Sequence, residues 1–244
     1  MKKLKKIIIT IVSIIFIIIT GCAIYEISTV NNQYYISEKN LEIPIFVYHD
    51  IVNDKSEVYY DYMQTTKEVF ENQMRGLKKI GYRFITFEDL KEYKEGKKEL
   101  YKKSCIVTFD DGYEGVYKNA YPIANKYDIP FTMFVITDNI GNTGTITWKQ
   151  AKEMNNSGLV TIASHSQNHV EFNKISTDDA INNVNKSYDE IEKLRTLGYV
   201  QNLTDNKINK SKNLDLSRLH RCYPLSDSTP KIVFKMMYRS IRYN

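Results

Sequence analysis

The stretch Ser104-Cys105-Ile106-Val107-Thr108-Phe109-Asp110-Asp111-Gly112-Tyr113 constrains this chain more than any other. A short apolar run, Cys105 to Phe109, stops abruptly at two adjacent carboxylates and a glycine. That pattern predicts a buried strand delivering side chains to its C-terminal edge. In α/β folds the loops at that edge carry the chemistry. Two neighbouring carboxylates repel each other unless a positive charge lies close, and a metal ion supplies one. Without a cation, Asp-Asp-Gly is an ordinary exit from strand into turn.

A second stretch ends the same way. Leu159-Val160-Thr161-Ile162-Ala163 predicts another short buried strand, and it runs into Ser164-His165-Ser166-Gln167-Asn168-His169. Two imidazoles four residues apart can reach one cation from a helix face or a tight loop. Two histidines and one carboxylate with open positions form a ligand set of the catalytic kind.

On these residues the chain resembles the polysaccharide deacetylases, metal-dependent carbohydrate esterases of the NodB-homology type. Thr108-Phe109-Asp110-Asp111-Gly112-Tyr113 is similar to the family's first motif, and Ser164-His165-Ser166-x-x-His169 to its second. Family-like text also lies between them, from Tyr121 to Val135 and from Ile146 to Gln150. The resemblance implies an α/β fold, a distorted (β/α) barrel with its site at the C-terminal ends of the strands. It implies Asp110 as catalytic base and Asp111, His165 and His169 as ligands of a divalent metal, by family usage zinc. It also implies a polysaccharide substrate bearing N-acetylhexosamine, from which acetyl groups are removed. Tyr-His after an apolar strand (Pro44 to His49) resembles the branch acting on exopolysaccharide, of the poly-N-acetylglucosamine kind. His49 then either lines the cleft or makes a structural hydrogen bond. Tyr113 and Trp148 are candidate cleft aromatics, with core packing as the other use for each.

The chain departs from the family after its last predicted helix. The family's third motif, a strand ending in Pro-aromatic-Gly, supplies an oxyanion donor and part of the cleft wall. Here no proline occurs between Pro130 and Pro224. Two alignments are open. Arg221-Cys222-Tyr223-Pro224-Leu225 is a degraded third motif, or Leu216 to Arg221 is the family's terminal strand and the third-motif segment is deleted near Leu194 to Gly198. Either leaves the barrel incomplete. The family often protonates the leaving amine with a late histidine, and the late histidine here is His220, beside Arg221. The departure also opens another function class: a truncated surface lipoprotein, weak or inactive as a catalyst, that only binds glycan or metal.

The 244 residues suit one domain behind a leader. Residues 1–22 combine a basic start with an apolar run from Ile7 to Ile19. The end of that run, Ile19-Thr20-Gly21-Cys22, resembles a lipobox with Cys22 as lipidation site. The other reading is an uncleaved membrane anchor from Ile7 to Tyr25. Either puts the rest of the chain on the outer face of the cytoplasmic membrane. Residues 23–42 are a polar tether and 43–244 the catalytic domain. The net charge of +5 includes Lys2, Lys3, Lys5 and Lys6. The remainder is almost neutral, so no nucleic-acid footprint is present, and nothing implies a protein partner. Periodicity predicts helices after Thr65-x-x-Glu68, Thr86-x-x-Asp89, Thr147 and Ser176-x-x-Asp179. Strands alternate with them, hence a parallel sheet. In the last helix Ile181, Val184, Tyr188 and Ile191 are expected to face inward.

Overall fold

The computed structural model describes residues 10–21, 42–59, 63–192, 194, 202–204, 209–210, 216 and 219–222. Its centre is a parallel sheet. Strand β2 (Ile45–Tyr48) pairs with β6 (Ser104–Phe109), β6 with β7 (Phe131–Val135), and β7 with β8 (Val160–Ser164). A short β5 (Arg83–Phe84) pairs with the start of β6. On the outer side of β2, Cys222 bridges in parallel to Phe46, continuing β11 (Leu219–Arg221). β11 in turn pairs with β9 (Asn202–Thr204). Smaller pairings join β1 (Glu42–Ile43) to β10 (Asn209–Lys210) and β3 (Asp50–Val52) to β4 (Gln64–Thr66). Among the described residues the sheet is open, with β8 as one edge; the closed part of the expected barrel is not there. The placement of Leu219–Cys222 beside β2, at the opposite side from β8, favours the terminal-strand alignment.

The alternation of side chains along a strand sorts the core into two faces. Phe46, Tyr48, Cys105, Val107 and Phe109 point to one face. There they meet Phe70, Met74 and Leu77 of α2 (Lys67–Lys79), Ile123 and Ala124 of α4 (Tyr121–Tyr127), and Ala151 and Met154 of α5 (Trp148–Asn156). Ile45, Ile106 and Leu219 point to the other, with Leu90 of α3 (Phe87–Lys94) and Leu100. Thr108 and Asp110 share that second face by parity.

The helix signals resolve into caps. Thr86 with Asp89 and Thr147 with Gln150 form reciprocal capping boxes. The first signal is displaced by one residue: Thr66, not Thr65, caps α2 by accepting the Val69 N–H, and it is also the last residue of β4, so strand passes directly into helix. The chain from Val116 to Ala120 winds as a π-helix into α4, where Pro122 sits in the first turn without an amide to lose.

The last helix, α6 (Thr177–Glu192), corrects the expectation of its inward face. Its buried residues are Asn183, Ser187 and Ile191, whereas Ile181 is 52% and Tyr188 39% exposed. Only Ile191 of the predicted stripe is inside. The polar stripe won because α6 lies along β8, where Asn183 accepts the Gln167 N–H and Ser187 bonds Ser164.

Cys105 and Cys222 are buried, and burial pushes the Cys105 thiol pKa up, so it is an inert core group. A helix spans 10–21 with its apolar side chains exposed. Among the described residues no helix is long and apolar enough to cross a membrane. Cys22 and the tether up to residue 41 lie outside the described residues.

Candidate active site

The site forms where β6 and β8 end side by side with β7 between them. After Phe109 the chain leaves β6 through Asp110 and turns in the left-handed region at Asp111 (φ 69°) and Gly112 (φ 86°). The Gly112 carbonyl accepts the Ile146 N–H at 2.9 Å, and its Cα lies close against Val135. A side chain there would adopt a backbone conformation that favours glycine. This turn sends Asp110 and Asp111 in different directions. Asp110 is 3% exposed.

The histidine loop begins with the His165 N–H donating to the Val135 carbonyl at 2.8 Å, one last rung between β7 and β8. Ser166 (φ 72°) and His169 (φ 60°) are both left-handed, a conformation costing about 1–2 kcal/mol for a residue with a Cβ. Hydroxyl groups offset that strain: Ser166 Oγ accepts the His169 N–H at 2.9 Å and Ser164 Oγ accepts the Ser166 N–H at 3.1 Å. The tight loop brings the two rings to 5.0 Å between centroids.

Asp111 Oδ1 lies 3.5 Å from His165 Nε2 and 3.8 Å from His169 Nε2, and one ligand atom from each residue falls within 4.8 Å of the others. Asp111 Oδ1 is buried and no hydrogen bond reaches it. A buried carboxylate oxygen without a donor is costly, and a cation between it and the imidazoles removes the cost. Burial, the largest influence, lowers the His165 pKa, although Asp110 and Asp111 oppose it. A neutral imidazole is the form that binds a metal. The three residues therefore fit a divalent ion, with His169 as the exposed member and room for further ligands on its side.

Asp110 belongs to a different partnership. Arg221 Nη1 donates to its Oδ1 at 2.6 Å and reaches towards Thr108 Oγ1 at 3.5 Å. Both members of this ion pair are buried, with side chains 6% and 4% exposed. The guanidinium also lies 5.6 Å from the centre of the Phe134 ring. The sequence reading missed Arg221 as a site residue. A signal existed: Arg221 is two residues from Leu219, which is a core residue, and strand parity puts both on one face.

The same parity settles His220. It lies between two inward residues and so projects to the opposite face of β11 from Arg221, away from Asp110. The structure does not bring this proposed acid to the site. His49 is brought there instead: it follows Tyr48, which packs into the core against α2, so alternation turns His49 to the face shared by Thr108 and Asp110, and it is 8% exposed. Burial, foremost, lowers its pKa; Asp110 and Asp111 act to raise it, and Arg221 and His169 to lower it, so it shares the field of all four. Tyr113 and Trp148 are partly buried against the outer-face core, which accounts for their size and position.

The sequence profile of a family described as polysaccharide deacetylase matches residues 97–203. A Bacillus subtilis (strain 168) protein named for polysaccharide deacetylation, YxkH, is 34% identical over 140 residues, 57% of this chain and 48% of that one. Poly-beta-1,6-N-acetyl-D-glucosamine N-deacetylase of Staphylococcus aureus is 36% identical over 131 residues, 48% of this chain and 45% of that one. The chain thus spans about half the length of these curated relatives. Among solved structures, Streptococcus pyogenes deacetylase PplD in complex with acetate superposes with a TM-score of 0.71 at 26% identity. It covers 81% of this chain and 99% of that one. IcaB from Ammonifex degensii shares the fold at a TM-score of 0.63 and 22% identity, covering 81% and 98%.

Proposed function

We propose that this chain, which is similar to the polysaccharide deacetylases over residues 97–203, hydrolyses N-acetyl groups from an N-acetylhexosamine polysaccharide of the cell wall or extracellular matrix. The observation that carries this reading is the paired use of Asp110 and Asp111: adjacent carboxylates, one gripped by Arg221 and the other grouped with His165 and His169. The relative that acts on poly-beta-1,6-N-acetyl-D-glucosamine makes that polymer the substrate to try first.

Asp111, His165 and His169 would hold the divalent ion, for which we propose zinc. When bound, such an ion polarises a carbonyl oxygen and lowers the pKa of a coordinated water. Asp110 acts as the base, its carboxylate accepting a proton from the water as that water's oxygen bonds to the acetyl carbon. Arg221 orients the Asp110 carboxylate and compensates its charge, leaving Oδ2 to work. Collapse breaks the carbon–nitrogen bond and requires a proton on the leaving nitrogen. The proton that Asp110 took from the water balances this need; of the four histidines, two are in the ligand set and His220 faces away, so we assign to His49 the passing of that proton to the nitrogen. The products are acetate and a free amine, which is cationic at neutral pH and changes the charge of the polymer.

We propose further that the basic and apolar N-terminus tethers the enzyme to the outer face of the membrane, through lipid on Cys22 or through the uncleaved segment. A second reading, a surface protein that binds glycan or metal with little turnover, draws support from the uncovered Ile181 and Tyr188 beside the open β8 edge. Acetate release from poly-N-acetylglucosamine oligomers by the full chain with added zinc, compared with Asp110→Asn, separates the two. Release lost in the variant supports the enzyme. No release from folded, metal-loaded protein transfers the assignment to the second reading.

A further inference from the structure

Helix α6 buries the wrong residues for a helix whose only task is packing. Its inward stripe, Asn183, Ser187 and Ile191, recurs every four residues; Asn183 is 7% and Ser187 0% exposed, while Ile181 is left half in solvent. A buried amide or hydroxyl is tolerated only when its hydrogen bonds are made. Here the bonds go to one place, the loop between the two histidines. Asn183 Oδ1 accepts the Gln167 N–H at 2.8 Å, and Asn183 Nδ2 donates to Asn168 Oδ1 at 2.7 Å. Ser187 Oγ and Ser164 Oγ are 2.6 Å apart, and Ser164 Oγ is the group that accepts the Ser166 N–H. Every residue from Ser166 to Asn168 is therefore tied to α6 directly or through one hydroxyl. From the other side Asp138 N–H donates to the Gln167 carbonyl at 2.9 Å, so the loop is clamped between two elements.

We infer that Asn183 and Ser187 are positioning residues for the metal centre, holding the histidine loop in its strained, ligand-presenting shape. The inference rests on the reading of Asp111, His165 and His169 as the ligands. Ser166 and His169 keep left-handed backbones against their intrinsic preference, and a loop released from α6 relaxes them. His169, 60% exposed in its side chain, has little packing of its own to keep it aimed at Asp111. Its aim depends on the loop, and the loop depends on α6. A further consequence is that α6 gave its buried stripe to polar groups, which accounts for the apolar residues on its outside.

The test is zinc and cobalt affinity of the full chain, read by competition with a chromophoric chelator, together with the visible spectrum of the cobalt form and the melting temperature of the metal-free form. Asn183→Leu keeps the volume and loses both bonds; its affinity is expected to fall 10–100-fold, with a changed cobalt spectrum. Asn183→Asp keeps the acceptor for Gln167 and is expected to fall less, as is Ser187→Ala. Ile191→Ala is the control: it loosens the same stripe of α6 without touching the loop, and should lower the melting temperature while leaving affinity and spectrum unchanged. Folded Asn183→Leu with wild-type affinity and spectrum overturns the inference and leaves the metal centre standing. Wild-type protein that binds no more tightly than His165→Ala overturns the metal centre itself, and the inference with it. If Asn183→Leu does not fold, Asn183→Asp and Ser187→Ala are judged by the same criterion.

Discussion

Replacing Arg221 by methionine removes the guanidinium from Asp110 while keeping much of the side chain's volume. The carboxylate is then left 3% exposed beside Thr108 and Phe134 without its cation. Both partners are buried, so solvent screens little of the loss. Breaking a buried pair by deleting one member costs about 3–5 kcal/mol. That is a large share of a total stability of about 5–15 kcal/mol. For a domain of this size each kcal/mol moves the melting temperature by about 2–4 °C, so Arg221→Met is expected to melt about 6–20 °C lower. The double variant Asp110→Leu/Arg221→Met removes the stranded charge as well, and should recover most of the loss even though both polar groups are gone. Thermal unfolding of the metal-free wild type, the two single variants and the double variant completes the cycle. Deacetylation should fall in Arg221→Met along with the orientation of the base, whose own contribution is about 10²–10⁴-fold. An Arg221→Met protein melting within about 2 °C of wild type, equivalent to less than about 1 kcal/mol, would refute the reasoning, because a buried carboxylate cannot lose its paired cation so cheaply.

Metal removal should be visible without any substrate: at a free zinc concentration 100 times Kd, binding stabilises the fold by about 2.7 kcal/mol. Chelation should lower the melting temperature accordingly, and Asp111→Asn should abolish the difference. Asp50 offers a pH test that involves none of the proposed metal ligands. Burial raises its carboxyl pKa, against weaker opposition from hydrogen bonds with Gln64 and Ile51. The folded state therefore holds the proton more tightly than the unfolded one, and stability is lost as pH rises above the unfolded value of about 3.9 and through the folded one. Asp50→Asn should melt higher than wild type at pH 7, with the gap closing as pH is lowered towards 4; a constant gap in thermal scans across that range would rule out the linkage. Gly115→Ala should destabilise by about 1–3 kcal/mol in denaturant unfolding, since its Cβ would lie 2.1 Å from Asp50 Oδ1 and 2.6 Å from the Ile51 carbonyl. A neutral effect would mean that β3 and the start of the π-helix can separate freely.

The chemistry that lies in one segment was legible in the sequence, and the chemistry assembled between segments was not. Asp110, Asp111, His165 and His169 stand at the ends of apolar runs, and the same runs predict the strands that bring them together. Caps at Thr86 and Thr147 were legible for a similar reason, since a capping box closes within four residues. The α6 face was misjudged because hydrophobic periodicity assumes that burial is driven by apolar area alone. Asn183 and Ser187 are buried by their hydrogen bonds to a loop 15 to 23 residues earlier. Nothing in residues 177–192 announces that loop. His220 was favoured as the late histidine, and strand parity gives its place to the arginine beside it.

Arg221 is 111 residues from Asp110 in the chain, yet it bonds that carboxylate at 2.6 Å. Its strand reaches β2 through reciprocal bonds, Val47 N–H to the Cys222 carbonyl at 2.9 Å and Cys222 N–H to the Ile45 carbonyl at 2.8 Å. Two backbone bonds and one buried ion pair thus fix the register of β11 against the catalytic strands. A slip by one residue would put His220 inside and Arg221 outside, stranding Asp110 and exposing Leu219. The ion pair is therefore a register lock as well as a support for the base. Asp110 is thus held from β11, on the β2 side of the sheet and at the opposite side from the β8 edge. The third motif that the family resemblance leads one to expect would bear on the cleft wall and the oxyanion, not on the pairing of Asp110 with Arg221.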